Sequence, residues 1–287
     1  MSAPPGTAAP AITRPAPVAV AVPVTPLAVA TMTVPLVDSS RPTVSGETTI
    51  STSRALTTRL WFPQTPAGGP WPLVVFAHGY EVGPDPYVAL CEAWAEAGYV
   101  VAAPEFPLTD ADVAGENLDE YDIENQPDDV RFVIRSLLAA DSPLAGRIDP
   151  TRLAVAGHSD GGVTALAVAT AALPGLRAVI ALSASPVGDG STANPPMLVA
   201  QGDDDDIDPY ENGAAVYDQA VAPRYLLTLL GGAHLPPFTE GSAYLDVVDK
   251  VAVDFLDLYV AGRTSTDAAM TRDAAAEPVL VTLDADP

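Results

Sequence analysis

The stretch from Arg152 to Ala172 constrains the fold most tightly. The apolar run Leu153-Ala154-Val155-Ala156 leads straight into Gly157-His158-Ser159-Asp160-Gly161-Gly162, and an alanine-rich helical pattern follows. This predicts a strand over Arg152–Ala156, a tight turn, and a helix over Gly161–Ala172. Small residues at 157 and 161 allow strand and helix to meet closely. Such a turn lifts Ser159 Oγ above the end of a sheet and aims the next backbone N–H, that of Asp160, into the same space. An ordinary glycine-rich turn also contains Gly and Ser, but the flanking strand and helix patterns favour Ser159 as a nucleophile.

The rest of the chain repeats this alternation. Trp71–Ala77 contains Leu73-Val74-Val75-Phe76-Ala77, a continuous hydrophobic run that fits a strand buried on both faces, and it ends at His78-Gly79-Tyr80. Tyr87–Ala97 has helical spacing, with Leu90 and Trp94 on one face and Gly98 as a stop. Pro127 can open another helix, Asp128 and Asp129 suit its positive end, and Val130, Val133, Ile134, Leu137 and Leu138 form its apolar face while Arg131 and Arg135 stay outside. Further short strands are expected at Tyr99–Ala103, Ala178–Leu182, Met197–Ala200 and Tyr225–Leu229, and a last helix at Leu245–Tyr259. Ahead of these, Ala28–Val37 and Arg54–Phe62 read as sheet elements separated by a polar, proline-containing bend. The order predicts an α/β fold with a mostly parallel central sheet flanked by helices. There is no internal repeat and no room for a large cap domain.

At 287 residues the chain can bury one substantial core. The expected partition is an irregular N-terminal arm over 1–27, a catalytic domain over 28–262 and a C-terminal extension over 263–287. Pro15, Pro17, Pro23 and Pro26 interrupt the arm, so it reads as neither a signal-peptide core nor a membrane span. Cytoplasmic residence and secretion after removal of a targeting segment are both compatible with the sequence. Cys91, the single cysteine, excludes an intrachain disulfide and reads as a buried structural thiol within a helix. Thirteen Lys and Arg against 37 Asp and Glu give a net charge of -24, which disfavours nucleic-acid partners and anionic membranes. No integral membrane segment is expected. Residues 108–129 hold many acids with little apolar periodicity, so they read as a loop over the sheet's carboxyl edge. Asp110, Asp112, Glu116, Asp119, Glu120, Asp122 and Glu124 are expected mainly as solvated surface, with substrate selection as the alternative.

A serine hydroxyl needs a base. Of the three histidines, His158 stands beside Ser159 along the turn and His78 shapes an earlier loop, so both read as structural. His234, in Gly231-Gly232-Ala233-His234 after a late strand, is the candidate base. The acid that orients it should lie between nucleophile and histidine in chain order. Asp203-Asp204-Asp205-Asp206 supplies four candidates, with Asp205 preferred from its place in the loop between Gly202 and Pro209, and Asp204 and Asp206 behind it. Calcium binding by this run is a weaker alternative, because the ligand spacing of a twelve-residue calcium loop is absent. No metal and no cofactor are expected. The backbone N–H groups of Tyr80 and Asp160 are the candidate oxyanion donors. The Tyr80 ring either lines the acyl pocket or packs at its entrance, and the Asp160 carboxylate must turn away from the oxyanion.

Together with Gly157–Gly162, two further segments carry a family resemblance. Asp38-Ser39-Ser40-Arg41-Pro42-Thr43 is similar to a DPSRPT-like segment, and Leu60-Trp61-Phe62-Pro63 to a WYP-like strand. Over about residues 30 to 260 the chain resembles the dienelactone-hydrolase, chlorophyllase and platelet-activating-factor-acetylhydrolase-like branch of the α/β-hydrolases, with relatives among polyester hydrolases. The resemblance implies the α/β-hydrolase fold, Ser159 as nucleophile, Tyr80 and Asp160 as oxyanion donors, Asp205 as acid and His234 as base. It implies hydrolysis of a small-molecule or polymeric carboxylic ester through an acyl-enzyme. Polyester-hydrolase relatives often carry Met after the nucleophile, Trp after the next strand and a C-terminal cysteine pair. Here Asp160 and Leu182-Ser183-Ala184-Ser185-Pro186 stand at the first two places and the pair is missing, which turns the expectation toward general ester hydrolysis. Peptide or amide hydrolysis by the same triad and a noncatalytic binding module are the other readings.

Overall fold

The computed structural model describes residues 26–65, 69–188, 195–263 and 268–287. Nearly all of the expected N-terminal arm lies outside the described residues.

The apolar runs become the strands. β5 (Trp71–Ala77) is buried at every position, as a continuous hydrophobic segment with layers on both sides must be. It lies parallel to β6 (Val100–Pro104) on one side and β7 (Ile148–His158) on the other. β8 (Leu176–Leu182), β9 (Met197–Gly202) and β10 (Arg224–Leu229) extend the parallel sheet. β1 (Val29–Asp38) and β4 (Arg54–Pro63) form an antiparallel pair at one edge, with β4 joined to β6. Among the described residues the sheet has nine strands, in the order β1-β4-β6-β5-β7-β8-β9-β10-β11, where β11 (Val281–Asp286) runs antiparallel to β10.

One apolar layer packs α1 (Val88–Glu96) and α6 (Leu245–Leu256) against the sheet, and the other packs α3 (Gln126–Leu138), α4 (Asp160–Thr170) and α5 (Tyr210–Gln219). Cys91 sits inside the first layer, where burial pushes its thiol well above the ordinary range, so it is held as a packing group. No helix among the described residues is long and apolar enough to cross a membrane.

Several elements depart from the expected pattern. The bend after β1 carries a short hairpin, β2 (Thr43–Ser45) with β3 (Thr48–Ser51); β3 is exposed at each position, so no hydrophobic alternation marks it. The α5 helix contains Asn212-Gly213 and gives little apolar periodicity. Residues 263–287 supply α7 (Ala269–Ala276), which packs against α6, and the edge strand β11. The expected last helix ends its regular part at Leu256 and continues as a wider π turn over Asp257–Ala261.

The acidic stretch 108–129 needs the main correction. It folds into α2 (Ala111–Ala114) and short 3-10 turns, and two of its acids expected in solvent, Asp110 and Asp122, are buried. Asp110 caps α2 through the Asp112 N–H. Asp122 is drawn inward by Arg54, which is itself buried at the start of β4. The Arg54 guanidinium donates to both Asp122 oxygens at 2.9 and 2.8 Å and to both Asp129 oxygens at 2.9 and 2.6 Å. Arg41 joins Asp129 at 2.6 Å and Asp38 at 2.8 Å. The stretch is further fastened by buried Gln126, which donates to Thr109 Oγ1 and accepts from Thr164 Oγ1 on α4.

A buried ion cluster loses more when one member is removed than it gains by forming, because the remaining charges stay uncompensated. Replacing Arg54 with Met should therefore destabilise the protein by about 3–5 kcal/mol, read as a lower urea midpoint. An unchanged midpoint would mean that Asp122 and Asp129 find solvent once Arg54 is gone.

Candidate active site

The expected site residues all follow the carboxyl ends of parallel strands, where ligands bind in open α/β sheets. Tyr80 follows β5, Ser159 and Asp160 follow β7, Asp205 follows β9 and His234 follows β10.

Ser159 occupies a backbone conformation that an L-residue seldom adopts, with φ 55° and ψ -124°. Holding it there costs about 1–3 kcal/mol, so the surroundings must impose it. Two glycines make that possible. A Cβ at Gly157 would lie 2.1 Å from the Gly161 carbonyl oxygen, and one at Gly161 would lie 2.1 Å from the Ala77 carbonyl oxygen. Three backbone segments therefore touch directly, and no larger residue fits at either place. The Ser159 N–H donates to the Leu182 carbonyl at 2.9 Å, while the Val163 N–H returns to the Ser159 carbonyl at 3.0 Å as α4 begins.

The loop after β5 closes against this turn. A Cβ built on Gly79 would come within 3.3 Å of Ser159 Cβ, which sets how near His78-Gly79-Tyr80 runs. His78 is buried and serves that loop: its Nε2 accepts the Phe106 N–H at 3.1 Å, so Nδ1 carries the proton and donates to the Gly79 carbonyl at 2.8 Å. Burial holds this imidazole below its ordinary pKa, against the Gly79 hydrogen bond and Asp110.

His234 and Asp205 meet across two loops. Nδ1 of His234 donates to Asp205 Oδ2 at 2.8 Å. The other Asp205 oxygen accepts the backbone N–H groups of Ile207 at 3.0 Å and Asp208 at 2.9 Å. Burial alone would raise the Asp205 carboxyl, but the Asp208 N–H, the hydrogen bond and charge of His234 and the Ile207 N–H outweigh it, leaving the group below its usual range. Of the four acids in the run, Asp203, Asp204 and Asp206 are exposed and Asp205 is buried. Asp203 accepts the Gly231 N–H at 2.5 Å and so holds the glycine loop that carries His234. Among the described residues, no group of three or more His, Cys, Asp or Glu side chains is arranged to hold a metal ion.

The residue beside Ser159 joins these loops. His158 Nε2 donates to the His234 carbonyl at 3.0 Å, and its Nδ1 accepts from Tyr87 Oη at 2.8 Å. Tyr87 Oη in turn accepts the Gly79 N–H at 3.4 Å. Burial, then the charge of His234, holds the His158 pKa down to about 3, so this imidazole is a neutral strut. The ring of Phe238 packs on it at 5.3 Å between centroids.

A family model described as chlorophyllase matches residues 38–198, more than half of the 287. The chain belongs to the chlorophyllase family of α/β-hydrolases. No curated protein is similar enough to the chain to count as a match. The family match takes in Tyr80, Ser159 and Asp160 and ends before Asp205 and His234, which the fold itself brings together.

Three residues of this chlorophyllase-family site escape a reading of the sequence. Tyr87 reads there as the start of a helix, Phe238 sits in an unmarked proline-rich segment, and Gln201 falls just past the expected strand Met197–Ala200. Only Gln201 carries a signal: a large polar side chain at a strand end ahead of four acids needs a partner when buried.

Asp160 is the electrostatic oddity. Its Oδ2 is buried and meets no hydrogen-bond partner among the described residues. Burial, reinforced by Glu120 and Asp208 and opposed by His234, raises its pKa to about 6. Because the folded value lies above the ordinary one, its contribution to stability is full below about pH 4 and is lost as pH rises through about 6. Asp160→Asn cannot ionise, so it should unfold at a higher temperature than the parent above about pH 7 and show little gain near pH 4. Calorimetry at both pH values checks this; an equal gain at both would remove charge as the cause.

Proposed function

We propose that this protein is a serine-dependent carboxylic-ester hydrolase working through an acyl-enzyme, with Ser159, His234 and Asp205 as its triad. The observation that carries the reading is the 2.8 Å contact between His234 Nδ1 and Asp205 Oδ2, made by loops whose backbone is tied to the residue preceding the strained Ser159. Asp205 fixes the imidazole tautomer and leaves Nε2 as the nitrogen that can accept a proton.

In the first half of the reaction, His234 Nε2 takes the Ser159 hydroxyl proton as Oγ bonds to the ester carbonyl carbon. The carbonyl π electrons move onto oxygen, and the backbone N–H groups of Tyr80 and Asp160 stabilise that charge. Each such donor is worth about 2.7–4 kcal/mol in the transition state. The intermediate collapses, the alcohol leaves with the proton from His234, and the acyl group remains on Ser159. Water then gives a proton to His234 and attacks the acyl carbon; collapse returns that proton to Ser159 Oγ and releases the acid. Asp205 stays ionised throughout and stabilises the imidazolium, a role that agrees with its depressed pKa. The Asp160 carboxyl has no place in this sequence, since a negative charge beside the oxyanion would oppose the stabilisation given by its own amide.

Short-chain aryl esters provide the test. The parent protein should show turnover and intact-mass evidence of an acyl adduct that maps to Ser159, and a folded Ser159→Ala variant should show neither. Asp205→Asn should lower kcat by roughly ten-thousandfold, whereas Asn at Asp204 or Asp206 should change it little. Normal turnover in folded Ser159→Ala would overturn the mechanism, and retained turnover in Asp205→Asn with loss at a neighbour would move the acid. Matched ester and amide substrates then separate the esterase from a peptide or amide hydrolase.

A further inference from the structure

Four successive acids could compete for one histidine, and a residue outside the run decides among them. Gln201, near the end of β9, is fully buried. Its Nε2 donates to Asp205 Oδ2 at 3.1 Å and to the Asp208 carbonyl at 2.7 Å. The first of these bonds falls on the same oxygen that receives His234 Nδ1–H. The second closes the loop back onto the strand, so the turn from 203 to 208 is pinned at both ends. The Asp208 carboxylate extends the clamp by accepting from Ser185 Oγ at 2.9 Å and from Asn212 Nδ2.

The Gln201 side chain has little freedom of its own. A Cβ on Gly213 would lie 2.7 Å from its Cβ, Cγ and Oε1, so α5 rests directly against it.

We infer that Gln201 is a positioning residue that selects Asp205 from the acidic run and fixes the plane of its carboxylate toward His234. This rests on the proposed roles of Asp205 and His234. The Ile207 and Asp208 N–H groups fasten Oδ1, and the Gln201 amide fastens Oδ2, so both ends of the carboxylate are held and the direction in which His234 must approach is set. The neutral amide matters here, because Lys or Arg in its place would neutralise the charge that stabilises the imidazolium, whereas Gln orients the carboxylate and leaves its charge in place.

The test uses the full chain with Gln201→Met, which keeps the length without the donor, Gln201→Glu, which puts a second carboxylate beside Asp205, and Gly213→Ala, which drives a methyl into Gln201. Gln201→Met and Gly213→Ala should lower kcat by roughly ten- to a hundredfold with KM within about twofold. Gln201→Glu should move the acid limb of kcat/KM to higher pH, since the added negative charge favours the His234 imidazolium. Proton NMR of histidine-labelled protein supplies a readout independent of turnover: the His234 Nδ1 proton should be sharp in the parent and broadened by solvent exchange in Gln201→Met. Loss of that signal in Gln201→Met, with a parent that turns over no ester, would uphold this inference while defeating the esterase reading. A folded Gln201→Met with parental kcat and a sharp Nδ1 proton, or a folded Gln201→Glu with an unmoved acid limb, would overturn it.

Discussion

The contact on which the site depends is made by backbone alone. The carbonyl of Ala77 at the end of β5 lies where a Cβ on residue 161 would have to go, and the carbonyl of Gly161 lies where one on residue 157 would go. Strand β7, the start of α4 and the end of β5 can therefore approach more closely than side chains would allow. Ser159 is left with φ 55°, and the hydrogen bonds from its own N–H and to its own carbonyl hold it there. The loop after β5 also runs close to this turn, with a Cβ on Gly79 only 3.3 Å from Ser159 Cβ, so the steric arrangement that sets the serine also sets the neighbouring loop.

The large excess of acid is handled differently in different places. On the rim, Asp122 and Asp129 surround one guanidinium that forms bidentate contacts with both, and this lets an acidic stretch pack into the interior. On α6 two acids lack a bidentate partner of this kind among the described residues, and only the charge of Arg272 opposes the rise at Asp254. Burial first, then Asp246 and Glu96, raises Asp249 to about 8; burial first, then Asp273 and Asp257, raises Asp254 to about 7. Both groups reduce their cost of burial by taking up protons, so their contribution to stability is full below the ordinary carboxylate range and fades as pH rises through about 7 and 8. Together with Asp160, they give the folded state a bias toward acid conditions that a count of charges alone would not reveal.

How much is legible in the sequence follows from which force shapes each element. β5 and the turn at Ser159 are legible because continuous apolar burial and glycine sterics leave direct marks in residue type. β11 is hidden because an edge strand with the pattern Val-Thr-Leu-Asp-Ala-Asp buries one end and presents the rest to solvent. α5 is hidden because packing on the sheet, rather than propensity, stabilises a segment containing Asn212 and Gly213. Asp122 is misread as solvated because its inward pull comes from Arg54, 68 positions away, and a long-range ion pair leaves no local pattern. His234 is accessible as the only histidine in a glycine loop after a late strand, whereas the burial of Asp205 rather than its neighbours depends on Gln201 and two backbone N–H groups.

The links among the loops around Ser159 also bear on which substitutions the site tolerates. The bond from His158 runs to the backbone of His234, and the bond from Gly79 reaches His158 through the Tyr87 hydroxyl. An imidazole at 158 is suited to this because it can accept at Nδ1 and donate at Nε2 simultaneously while remaining uncharged. Protonation would turn Nδ1 into a donor facing the hydroxyl that now donates to it, and would place a positive charge beside the His234 ring. Burial holds the His158 pKa down to about 3, so near neutral pH the residue adjoining Ser159 supports the His234 backbone as an uncharged ring. The division of labour between two histidines whose ring centroids are 4.6 Å apart is set by environment, with His158 enclosed and doubly bonded and His234 paired with a carboxylate.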